Sequence, residues 1–154
     1  MSHFKTLQLA IDLALSKRDQ ALAELQKQRH ALAFAHDQMN QLQQYSDETE
    51  QRWLTRAQIS TTPELLLHHG QFMARLHQAI DLQQGVLLGA EQREHGAQQN
   101  LLKAELHMAS LKLLMDKRRA QANQLVQRRE QKQMDEFAAM QTLRQQRQIL
   151  ENQP

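Results

Sequence analysis

A hydrophobic stripe recurs every seven residues along nearly the whole of this 154-residue chain, with one clear interruption. Residues 3–58 and 63–150 each carry helical periodicity, and Ile59-Ser60-Thr61-Thr62-Pro63 separates them. A helix with a single apolar stripe must bury that stripe against another element. Two such helices joined by so short a link can only be antiparallel neighbours. The chain is therefore expected to be all-α: a long antiparallel two-helix coiled-coil hairpin in which the second helix outruns the first. It is expected to form one domain, residues 1–154, made of helix 3–58, turn 59–62 and helix 63–150. Its function should lie along the faces and at the ends of a thin rod, not in a pocket.

The heptads set the seam. Placing position a at Phe4 gives Phe4, Ile11, Arg18, Leu25, Leu32, Met39, Ser46 and Trp53. Position d gives Leu7, Ala14, Ala21, Gln28, Ala35, Leu42, Thr49 and Arg56. Eleven of these sixteen are apolar, enough for a sustained coiled-coil seam. Leu15 and Leu22 widen the stripe near its start. In the second helix, a runs Leu66, Met73, Ile80, Leu87, Glu94, Leu101, Met108, Met115 and Ala122. Its d positions are His69, Leu76, Gln83, Ala90, Ala97, Ala104, Leu111, Arg118 and Leu125. Past Leu125 the seam positions turn polar, at Arg129 and Lys132.

At the interruption, Pro63 suits a first helical turn, where its missing N–H would be unpaired in any case. Thr61 or Thr62 can cap that turn, and Thr61 with Glu64 has capping-box spacing. At 1.5 Å per residue the first helix spans ~80 Å and the second ~130 Å. With residue 58 opposite residue 64, Phe4 falls near Arg118. Residues beyond about 120 are then expected to project without an intramolecular partner.

Composition excludes several classes. The absence of cysteine rules out disulfides and thiolate metal sites. A net charge of +2 gives no bulk drive toward nucleic acid. The N-terminal stretch lacks the apolar core of a secretory signal, and no run approaches the 18 apolar residues of a membrane span. The expectation is a cytoplasmic protein without direct membrane insertion. Eight histidines invite a metal reading, yet no pair has the i, i+4 spacing of two ligands on one helix face. No phosphate loop or nucleophile motif is present, and a two-helix rod cannot exclude water from a reacting centre. Neither an enzyme nor a cofactor is expected.

Three other features allow more than one reading. Gly70, Gly85, Gly89 and Gly96 all lie in the second helix; they mark either a soft stretch or a hinge or close-contact surface. Glutamine pairs at 43–44, 83–84, 98–99 and 145–146 read as solvated face, because the heptads persist through them. The run Lys117, Arg118, Arg119, Arg128, Arg129 and Lys132 reads as a solvated helix face or a protein-docking surface. Nucleic acid fits it poorly, since Glu130, Asp135 and Glu136 interrupt the charge and no aromatic platform accompanies it.

One flank concentrates aromatic side chains. Gln38, Leu42 and Tyr45 form a ridge on the first helix; Phe72, Leu76 and Ala79 form another on the second. Leu42 and Leu76 are seam positions, whereas Tyr45, Phe72 and Ala79 are flanking g positions. The hairpin register brings the two ridges together, and an amphipathic patch with aromatic anchors is a candidate partner site.

Two segments carry a family resemblance. Gln71-Phe72-Met73-Ala74-Arg75-Leu76-His77-Gln78-Ala79-Ile80 has the pattern Q-F-x-x-x-L-x-x-A-I. Arg129-Glu130-Gln131-Lys132-Gln133-Met134-Asp135-Glu136-Phe137-Ala138 has a basic start followed by Q-K-x-M-D-E-F-A. With the chain length and the Tyr45 ridge, these resemble the flagellar export protein FliJ family. The resemblance implies an antiparallel two-helix coiled coil similar to the central stalk of rotary ATP synthases. It implies three kinds of partner: the hexameric flagellar export ATPase, whose assembly and hydrolysis it promotes; the export-gate membrane protein; and export chaperones. It implies a location at the inner-membrane export apparatus. The gate-contacting surface carries over onto Gln38, Leu42, Tyr45, Phe72, Leu76 and Ala79, with Thr49 standing where the family has a second aromatic. A two-helix rod is ~20 Å across, thin enough for the axial hole of a hexamer. The end carrying Arg128, Arg129, Lys132, Met134 and Phe137 is the part expected to enter the ring. The alternatives are the equivalent stalk of a virulence type III secretion system, a holdase chaperone for secreted subunits, and a structural coiled coil forming homodimers.

Overall fold

The computed structural model of the chain describes residues 2–153; Met1 and Pro154, the ends of the expected 1–154 domain, lie outside the described residues. It contains two helices, α1 (Ser2–Ile59, 58 residues) and α2 (Pro63–Glu151, 89 residues), with no strand among the described residues. The two pack against each other as an antiparallel coiled-coil hairpin, the all-α fold that the heptads require.

The link is three residues long, and hydrogen bonds tie each of its ends to a helix. The Ser60 amide donates to the Arg56 carbonyl at 3.2 Å, closing the last turn of α1. The Thr62 hydroxyl accepts from the Leu65 amide at 3.2 Å, and the Thr62 carbonyl accepts from Leu66 at 3.0 Å. Thr62 is thus the cap, directly ahead of Pro63 at the first helical position. That frame puts Leu65 at the third position, so Thr61 and Glu64 stand one residue out of step for a capping box.

Contacts divide the chain into two units, Leu13–His107 and Met1–Asp12 with Met108–Pro154. In the first, the buried side chains are Ala14, Leu25, Ala35, Met39 and Ser46 from α1 and Met73, Leu76, Ala90 and Ala97 from α2. Every one is an a or d position, and large residues alternate with alanine so that the helices interdigitate. Leu25, 2% exposed, is the most completely enclosed large side chain. Polar seam residues are satisfied where they stand. Gln83 donates its amide to the Ala35 carbonyl at 3.0 Å, and Glu94 faces Arg29 at 3.5 Å. Among the described residues no buried side-chain nitrogen or oxygen lacks a partner.

Toward the link, Trp53 stacks on His69 with ring centroids 4.3 Å apart, and His69 Nε2 lies 3.7 Å from Glu50. This stack closes the seam. Leu66, expected at the next a position, is exposed instead; the residue it would face is Arg56, itself exposed in the last turn of α1. Leu15 and Leu22 also lie outside the seam, as half-exposed flanking residues.

In the second unit Leu7, Ile11 and Met115 form a core, with Phe4 and Leu111 packed against it. Arg118 and Leu125 are exposed although they hold d positions. Leu125 lies beyond the last packed seam residues, Leu111 and Met115. From Asn123 onward every described residue is exposed, while the helix continues to Glu151.

None of the four glycines has a positive φ. A Cβ at Gly70, Gly85 or Gly96 would meet nothing within 4 Å, and at Gly89 it would meet only the Arg93 guanidinium at 3.4 Å. No close approach within the chain demands them.

Three stability outcomes follow from this packing. Leu25→Ala should lower the unfolding free energy by ~2–5 kcal/mol, the range for enclosed leucines, and Leu65→Ala by under ~0.5 kcal/mol; urea titration measures both. Gly85→Ala should raise stability by ~0.5–1 kcal/mol, since it adds helix propensity without a clash.

Candidate functional site

The first candidate surface lies within Leu13–His107. Tyr45 and Phe72, one from each helix, meet edge to face with ring centroids 6.0 Å apart and planes at 82°. This geometry aims the positive edge of one ring at the negative face of the other. Both rings stand partly in solvent, and Phe72 is 37% exposed. Gln38, Leu42 and Tyr45 line a shallow depression with Gln41 and Gln83. The floor of that depression is held by the same Gln83 amide that bonds the Ala35 carbonyl across the helices. Ala79 is half-buried one helical row beyond Leu76. Leu76 differs from the rest: at 7% exposure it belongs to the seam and supports the surface from beneath.

The second lies on the exposed stretch of α2. Arg128, Arg129 and Lys132 are all exposed, as are Met134 and Phe137. Met134, Phe137 and Ala138 line an apolar depression with Glu130, Gln133 and Gln141. Phe137 is 63% exposed, an unusual state for a large aromatic side chain on an unpaired helix. Helical spacing turns Arg128 and Lys132 away from Phe137, so this stretch has an apolar face and a basic one.

An exposed apolar cluster beside the link went unmarked in the heptad reading. Leu54, Ile59, Leu65, Leu66 and Leu67 are all exposed, and Pro63, Leu66, Leu67 and Gly70 border one depression. The signal was present in Leu65-Leu66-Leu67, because three consecutive helical positions cannot all face one seam.

Among the described residues no three His, Asp or Glu side chains converge as metal ligands, and no helix is long and apolar enough to cross a membrane.

The family model described as Flagellar FliJ protein matches residues 3–147, nearly the full length of both helices. The chain belongs to the FliJ family. No curated protein and no solved structure matches it. Membership places this FliJ-family protein among the accessory components of flagellar type III protein export. Such a component associates with the export apparatus.

Seam and surface roles separate by mutation. Leu76→Ala should cost ~2–4 kcal/mol of stability. A double-mutant cycle of Tyr45→Ala with Phe72→Ala should return a coupling of ~0.5–1.5 kcal/mol, read by thermal unfolding. Zero coupling would mean that the ring contact contributes nothing beyond burial.

Proposed function

We propose that this protein is a non-enzymatic coupling subunit of the flagellar export apparatus, working in the cytoplasm at the inner-membrane export gate. The exposed stretch of α2, with Arg128, Arg129, Lys132, Met134 and Phe137, enters the hexameric export ATPase and promotes its assembly and hydrolysis. The aromatic flank of Gln38, Leu42, Tyr45, Phe72, Leu76 and Ala79 contacts the export-gate membrane protein. Export chaperones are handled by the same subunit.

The observation that carries this reading is the uncovered helix from Asn123 to Glu151. An isolated helix keeps little stability of its own, and most helical stability comes from packing an apolar face on a partner. An axial hole lined by several copies of one subunit offers such packing on all sides of a single helix. The basic residues turned away from Phe137 suit acidic groups on the wall of that hole.

The test mixes the protein with the cognate export ATPase and follows phosphate release and ring formation. The full chain should stimulate hydrolysis, and a chain truncated after Ala122 should not. Equal stimulation by the truncated chain would refute the assignment of this stretch to the ring. Phe72→Ala should weaken capture of the gate protein while the helical circular dichroism stays within about a tenth of the wild-type signal, because one partly exposed side chain holds little of the fold.

A further inference from the structure

Around Phe137 the exposed stretch of α2 has a mirrored order. Met134 and Met140 stand three residues to either side, Gln133 and Gln141 four, and Glu130 and Arg144 seven. These offsets of three, four and seven keep all seven residues on one helix face. All are exposed, and the central aromatic and both methionines are among the most exposed large apolar side chains here. Among the described residues neither Glu130 nor Arg144 has an ion-pair partner.

We propose that this face binds the same face of a second copy, as an antiparallel helix pair whose two-fold axis passes beside Phe137. An isologous contact needs a patch complementary to its own reverse. Here the reversal sets Phe137 against Phe137, Met134 against Met140, and Glu130 against Arg144, with each unlike pair occurring twice. Charge selects this register. Between Asn123 and Glu151 every other charged residue then falls opposite an uncharged one: Arg128 opposite Gln146, Arg129 opposite Gln145, Lys132 opposite Thr142, Asp135 opposite Ala139, Glu136 opposite Ala138, Arg147 opposite Gln127 and Glu151 opposite Asn123. Moving the axis to Lys132 would set that ammonium against its own copy. The paired stretch covers residues 123–151, about 43 Å of helix. It also satisfies the thermodynamic need of a helix that packs against nothing in its own chain.

The pairing covers Met134 and Phe137 and leaves Arg128 and Lys132 in solvent. It is therefore a state that any other partner of the same apolar face must displace. The proposal does not rest on the ring assignment and stands or falls separately from it.

Sedimentation equilibrium of the full chain tests it directly. The mass should rise with concentration from one chain, 18.0 kDa, toward two. Glu130→Arg and Arg144→Glu should each weaken the dimer by about tenfold or more, because each replaces two attractions by two repulsions. The combined Glu130→Arg/Arg144→Glu chain should recover to within about threefold of the original. Truncation after Ala122 should leave a monomer. The proposal is overturned by single-chain mass at every concentration up to about 200 μM, which would leave no dimer tighter than roughly millimolar. It is overturned equally if the double reversal dimerises no better than the single ones, or if the truncated chain still dimerises.

Discussion

Burial of a narrow seam between two antiparallel helices is the interaction on which everything else depends. A fully buried leucine or methionine contributes ~1.5–3 kcal/mol, and among the described residues every buried apolar side chain is a seam residue. The seam therefore has to be continuous wherever the helices run together, and polar residues within it must find partners in place. Gln83 on the Ala35 carbonyl and Glu94 beside Arg29 meet that demand. Such contacts cost little when satisfied and are expensive when displaced, so they also hold register.

What the seam does not use becomes available for binding. Tyr45 and Phe72 flank it and stay partly exposed, held by Leu76 beneath and by each other at the side. The stretch of α2 from Asn123 to Glu151 is exposed along its whole length. One surface stands on a packed hairpin, the other on a single uncovered helix.

Much of this was legible in the residues. Period and break together dictated two helices, because an apolar stripe of period 3.5 can be buried only by another helix. Every a and d position from Phe4 to Trp53 is buried or partly buried, as the heptad assignment requires. The exceptions have local causes. Leu66 was placed in the seam by period alone, but the last turn of α1 presents Arg56 and the Trp53–His69 stack ends the packing first. Leu125 failed because a periodic residue is a core residue only if something lies opposite. The capping threonine could not be chosen from spacing, since Thr61 and Thr62 both fit until the position of Pro63 in the helix is known.

By itself, then, the sequence determined the helical state, the place of the reversal, the register and the mirrored pattern about Phe137, because each is a matter of residue type at fixed intervals along one chain. Only the tertiary structure decided how far the flanking members of a ridge are covered. Tyr45, Phe72 and Ala79 all hold g positions, yet Ala79 is half-buried while both rings are exposed. Exposure depends on how closely a neighbouring helix approaches at that height, and that distance is a property of two packed surfaces rather than of either sequence alone.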